Sequence, residues 1–176
     1  MTTIPAVLGL HHFAWRCRNA EETRHFYEDI LGLPLTHVIR LDRVPSTGEH
    51  CPYVHLFFEL ADGSNIAFFD LGDNTAALPS PNTPPWVNHI AFRLATLGEL
   101  DSMKQRLVQH DIQVLGITNH EFVRSIYFFD PNGLRLEFTV VVANAETLEG
   151  YKMRARGTLD AWTADQKKAA PETRPV

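Results

Sequence analysis

The chain has 176 residues, 44% of them hydrophobic and 21% charged, with a formal net charge of −5. That is the size of one ordinary domain with a real core, and the composition excludes wholesale disorder. The excess of acid leaves no basic face for a phosphate backbone, so no nucleic-acid partner is expected. No apolar run approaches the roughly 18 to 20 residues of a membrane helix, and the first residues lack a secretion-signal pattern. Cys17 and Cys51 are too few for a disulfide framework or a thiolate zinc site. The expectation is a cytoplasmic protein that does not engage membranes.

The first predicted element is Leu10-His11-His12-Phe13-Ala14-Trp15-Arg16, short and apolar as a buried strand should be. Asn19 with Glu22 three residues on has the spacing of a capping box. The stripe of Phe26, Tyr27, Ile30 and Leu31 then predicts a helix, stopped by Gly32 and Pro34. Strands are expected over residues 35–41, 53–60 and 66–71, with an Asp62-Gly63 turn before the last. Residues 72–86 contain Pro79, Pro81, Pro84 and Pro85 and read as a stiff linker.

The pattern then starts again. Val87-Asn88-His89-Ile90-Ala91-Phe92-Arg93 repeats the first stretch as apolar, polar, His, apolar, Ala, aromatic, Arg. Thr96 and Glu99 form a second capping box, and Leu97, Leu100, Met103 and Leu107 give a helix an apolar face ending near His110-Asp111. Strands follow over residues 112–117, 124–129 and 134–142, with Asp130-Pro131-Asn132-Gly133 as a turn. The predicted fold is α+β: two βαβββ modules, about 8–71 and 87–142, form a curled, mostly antiparallel sheet cup. They make one domain over residues 1–142, followed by a helical tail at 143–176. That tail reads as one or two helices broken near Gly157 with a frayed end, either a surface helix or a lid or dimer contact.

Side chains alternate along a strand. In Leu134-Arg135-Leu136-Glu137-Phe138 the apolar residues take one face and Arg135 and Glu137 the other, so Glu137 points to the open face. His12 shares a face with Leu10 and Ala14, and His89 shares one with Val87 and Ala91. Both histidines hold the same register in equivalent strands. If the modules pair symmetrically, two imidazoles and one carboxylate converge.

This double module resembles the glyoxalase, bleomycin-resistance and extradiol-dioxygenase superfamily, the vicinal oxygen chelate fold, over residues 8–142. The resemblance is most specific where Thr118-Asn119-His120, Ile126-Tyr127, Asp130-Pro131-Asn132-Gly133 and Glu137 match the spacing of ring-cleaving extradiol dioxygenases. It implies His12, His89 and Glu137 as ligands of one divalent metal, Fe(II) first and Mn(II) as the other option. The symmetric fourth position falls near Phe68, which supplies no ligand, and this counts against four-ligand glyoxalase I chemistry. A 2-His-1-carboxylate face leaves positions for substrate and dioxygen on Fe(II). The implied activity is an oxidoreductase cleaving a small aromatic diol, with Tyr127 bonding a metal-bound oxygen and His120 orienting substrate or moving a proton. Where better-known members carry a further acid–base His, this chain reads Gly63-Ser64-Asn65, and His55 is the candidate replacement. A metal-dependent lyase, isomerase or thiol transferase is the alternative, and a metal-free binder of aromatic compounds the next. A homo-oligomer is expected, and the modules pair either within a chain or across a dimer.

Overall fold

The computed structural model describes residues 4–169. Its elements are β1 (His12–Cys17), α1 (Ala20–Arg24) with a π-helical continuation (His25–Ile30), β2 (Leu35–Arg43), β3 (His50–Glu59) and β4 (Asn65–Asp70). Then come β5 (Ile90–Arg93), α2 (Leu97–Gln109), β6 (Leu115–Asn119), β7 (Val123–Phe129), β8 (Arg135–Val141) and α3 (Ala145–Ala169). The strands form two open four-stranded sheets, β1-β4-β3-β2 and β5-β8-β7-β6. In each, the first strand runs parallel to the last and the other neighbours are antiparallel. The α+β class and the order of elements are those expected. Of the frayed end expected from Lys167 onward, residues 167–169 continue the last helix, and residues 170–176 lie outside the described residues.

Local chemistry accounts for the helices. Asn19 accepts from the Glu22 backbone N–H at 2.9 Å, but the reciprocal half of the box is missing because the Glu22 carboxylate pairs with Arg18. The Thr96 box is complete, with Glu99 N–H to Thr96 Oγ1 at 3.1 Å and Thr96 N–H to Glu99 Oε2 at 3.0 Å. Such a cap is worth about 1 kcal/mol. Leu100 and Leu107 are fully buried, whereas Leu97, at the helix start, stays exposed.

One hydrophobic cluster joins the two halves: Phe26, Leu56, Phe58, Ile66 and Phe68 pack with Leu107, Ile126, Phe128, Leu136 and Phe138. Both sheets therefore turn their apolar face to a shared core and their other face outward. The Asp130-Pro131-Asn132-Gly133 turn pins the halves together. Tyr27 donates to Asp130 Oδ2 at 3.0 Å, while Asp130 Oδ1 accepts from the backbone N–H of Asn132 and Leu134. Asn132 Nδ2 donates to Thr23 Oγ1 at 3.2 Å, and its Oδ1 accepts from Arg18 N–H at 3.0 Å. Burial pushes the Tyr27 phenol well above its ordinary range and raises the Asp130 carboxyl too. Arg106 of α2 caps the end of the first helix, donating to Ile30 O at 2.6 Å and Asp29 O at 2.7 Å.

Three expectations are corrected. The tail is one unbroken helix through Gly157; a helical glycine costs about 1 kcal/mol relative to alanine, too little to break 25 residues. The strand after the linker starts only at Ile90, which pairs with Leu136 of the parallel strand β8, so His89 stands just ahead of it. The position symmetric to Glu137, expected near Phe68, is its neighbour Ala67: Ala91 pairs with Glu137 as Ala14 pairs with Ala67. A shift of one residue reverses the face, and Phe68 is buried in the core.

Candidate metal centre

Ala91, Glu137 and Tyr127 lie side by side across β5, β8 and β7, on the outward face of the second sheet. His89, two residues before Ala91, shares that side. Its Nε2 is 3.0 Å from Glu137 Oε2, and its Nδ1 is 2.9 Å from Val87 O. A backbone carbonyl only accepts, so Nδ1 carries the hydrogen, and Nε2 meets the carboxylate with a lone pair unless a cation lies between them. That cation is a proton or a metal ion. Two ligands about 2.1 Å from a metal and at right angles to each other stand about 3.0 Å apart. The donor types, their separation and the carbonyl that orients the imidazole thus fit a divalent ion. Glu137 itself is buried.

Tyr127 continues this face. Its hydroxyl is 2.8 Å from His120 Nε2, and its ring meets His89 edge-on at 5.9 Å between centroids. Burial, and then the Glu137 charge, raise the Tyr127 phenol above its usual value. It therefore stays protonated at neutral pH and can donate. The Arg135 guanidinium lies 4.2 Å over the same ring and donates to Trp86 O at 2.5 Å. Arg135 carries no role in the sequence reading, although its alternation with Glu137 marks it as facing the same way.

His12 and His55 belong to the first sheet. His12 opens β1, with its Nδ1 2.7 Å from His11 Nδ1 and its ring 6.0 Å from that of His55 and 5.5 Å from Phe57. It does not join His89 and Glu137 within the chain: among the described residues no three His, Cys, Asp or Glu side chains gather closely enough to hold a metal. His55 is buried, stacked on Phe69 at 3.6 Å and tilted against Phe57 at 4.2 Å, and its Nε2 has no partner. Burial first, then the neighbouring His12 and His37, push its pKa down to about 4. Its ring contacts are with His12, Phe57 and Phe69 of its own sheet.

Asn65 Oδ1 and Arg16 Nε are also buried without partners. The register puts His12 with Asn65, and Arg16 with Phe69 and so with His55, on one outward face. Among the described residues, every unsatisfied buried side-chain atom therefore lies on the His12 face of the first sheet. Sequence pattern gave neither Asn65 nor Arg16 a role at the site, because only the pairing shows that they accompany His12.

A family model for the Glyoxalase/Bleomycin resistance protein/Dioxygenase superfamily matches residues 9–138, well over half of the chain. The chain belongs to this superfamily. Members of the superfamily are often metal-dependent enzymes, and the solved structures it resembles share the vicinal oxygen chelate fold. A glyoxalase/dioxygenase from Nostoc punctiforme is 22% identical with a TM-score of 0.55, covering 80% of this chain and 100% of its own. A point mutant of the genomically encoded fosfomycin resistance protein FosX from Listeria monocytogenes was solved with Mn(II) and 1S,2S-dihydroxypropylphosphonic acid. It is 20% identical with a TM-score of 0.56, covering 81% and 98%. The antibiotic binding protein TnmS3 from Streptomyces sp. CB03234 is 17% identical with a TM-score of 0.54, covering 78% and 99%. At these identities the likeness is one of fold alone. No helix among the described residues is long and apolar enough to cross a membrane.

Proposed function

We propose that the chain is a non-haem Fe(II) dioxygenase that opens a small aromatic diol in the extradiol manner. His89 and Glu137 hold the metal together with His12 of a second copy of the chain. The observation that carries this reading is the 3.0 Å approach of His89 Nε2 to Glu137 Oε2 with Nδ1 tied to Val87 O, beside the Tyr127–His120 pair. FosX, of the same fold, was solved with Mn(II), which supports a divalent ion and keeps manganese as the other option.

Three features support completion by a second copy. β1 and β5 are both end strands of their sheets, leaving backbone groups free to pair with another strand. Large apolar side chains beside them are exposed, namely Leu8, Leu10, Trp86 and Val87. The unpartnered atoms Arg16 Nε, His55 Nε2 and Asn65 Oδ1 crowd the His12 face, and an unmet buried polar atom costs about 1–3 kcal/mol.

The metal, when bound, supplies Lewis acidity and a template for diol and dioxygen. The side chains do the rest. Glu137 and His89 are charge and lone-pair donors fixed by burial and by the Val87 carbonyl. Tyr127, protonated at neutral pH, donates toward an anionic oxygen of the substrate, and His120 at 2.8 Å returns the proton. Arg135 over the Tyr127 ring holds the orientation of that ring. His55 of the second copy is a neutral imidazole on the His12 wall, whose unpartnered Nε2 accepts a hydrogen bond from the substrate.

The test is anaerobic metal analysis of the purified chain, followed by oxygen uptake with a panel of catechols after Fe(II) loading. About one metal per chain and uptake lost in His89→Ala, Glu137→Gln and His12→Ala are expected. Bound metal without uptake for any diol transfers the assignment to a lyase, isomerase or thiol transferase. Absence of metal affinity leaves a binder of aromatic compounds.

A further inference from the structure

The family match ends at residue 138, so α3 belongs to what this chain adds to the superfamily's common part. The root of α3 nonetheless borders the site. Phe122 O accepts from the backbone N–H of Val142 at 2.9 Å and Ala143 at 3.2 Å, which holds the turn after His120 against the start of α3. The Phe122 ring meets Tyr151 edge-on at 5.7 Å. Between turn and helix runs a groove of about 520 Å³ lined by His120, Glu121, Phe122, Leu148, Tyr151 and Lys152.

Two properties narrow its occupant. The groove adjoins the reacting face directly, because His120 both lines it and contacts Tyr127 Oη, and Tyr127 pairs in register with Glu137. Its lining is predominantly apolar. The one ammonium there, Lys152 Nζ, is already bonded to Glu149 Oε2 at 3.0 Å, so no free lysine charge solicits an anion. A concave apolar space of this size suits a small-molecule fragment.

We propose that this groove receives the unreactive apolar part of the substrate, a second aromatic ring or a branched alkyl group. Phe122, Leu148 and Tyr151 then set the size preference of the enzyme. This deepens the dioxygenase reading and rests on it for the identity of the reacting end.

Biphenyl-2,3-diol and catechol serve as probes on the Fe(II)-loaded full chain, with kcat/KM read by oxygen uptake. The biphenyl-diol to catechol ratio is expected to fall about tenfold in Tyr151→Ala and in Leu148→Ala, and to survive in Tyr151→Phe. An unchanged ratio in both alanine variants overturns the assignment. In parallel, the full-length protein is titrated with 4-phenylphenol, which cannot chelate, and followed by amide NMR. Shifts at residues 120–122 and 148–152 support the groove, and shifts confined elsewhere, or none, overturn it. If neither diol is consumed, the dioxygenase reading fails on that result, while the spectra still decide the groove.

Discussion

Tyr127 and His120 form the pair whose chemistry is most direct to probe. Their 2.8 Å contact and the raised phenol pKa make the hydroxyl a proton source at neutral pH. Removing it in Tyr127→Phe leaves the metal ligands and the packed ring in place. The expected result is a kcat lower by about 10²–10⁴, with the KM for catechol changed far less, as measured by steady-state oxygen uptake. His55 is a second informative residue, because its folded pKa of about 4 lies below the ordinary histidine value. A depressed value means that the folded state prefers the neutral ring. Its stabilising contribution is complete above about pH 6.5 and lost as the pH falls toward 4. Metal-free protein should therefore lose thermal stability across that window, and His55→Phe should flatten the loss. Equal slopes for both proteins in calorimetric scans would contradict the assignment.

Helices and strands were largely legible because they rest on local rules. The Thr96 box, the Leu100 and Leu107 face and the Asp62-Gly63 turn each involve residues within a few positions of one another. What failed was pairing and length. The Glu137 counterpart could be brought only near Phe68 because strand register is set by hydrogen bonds between segments, here β1 against β4, and no single segment encodes it. Gly157 looked like a break because propensity was weighed without the helix on either side. Arg106 was equally hidden, since its two acceptors lie 76 and 77 residues away. A hydrogen bond from a charged group contributes about 1.5–3 kcal/mol net. Arg106→Ala should accordingly lower the melting temperature by several degrees without altering metal affinity. A stable variant with lost metal binding would give Arg106 a different role.

At the scale of the molecule, the fold was readable, but the relative orientation of the two modules was not. The repeat showed two equivalent histidines, and whether they converge within one chain or across a dimer stayed open in the sequence. The orientation of the modules is decided instead by contacts such as Tyr27 to Asp130, 103 residues apart, and by the shared core. Those contacts set the two sheets with their candidate metal-binding faces outward. The Asp130-to-Gly133 turn therefore has a mechanical part alongside its resemblance to an enzyme signature: it fixes where each half of the site points.

The pin between the halves has a genetic consequence. If each centre draws His12 from one polypeptide and His89 from another, two inactive variants can cure each other. Refolding His12→Ala with His89→Ala in equal amounts would give half the dimers a mixed composition. In each mixed dimer one centre carries both defects and the other carries none. About one-quarter of wild-type activity should then return by simple counting of isologous pairs. Assembly within a single polypeptide would return nothing, so complementation reads the architecture directly from a rate.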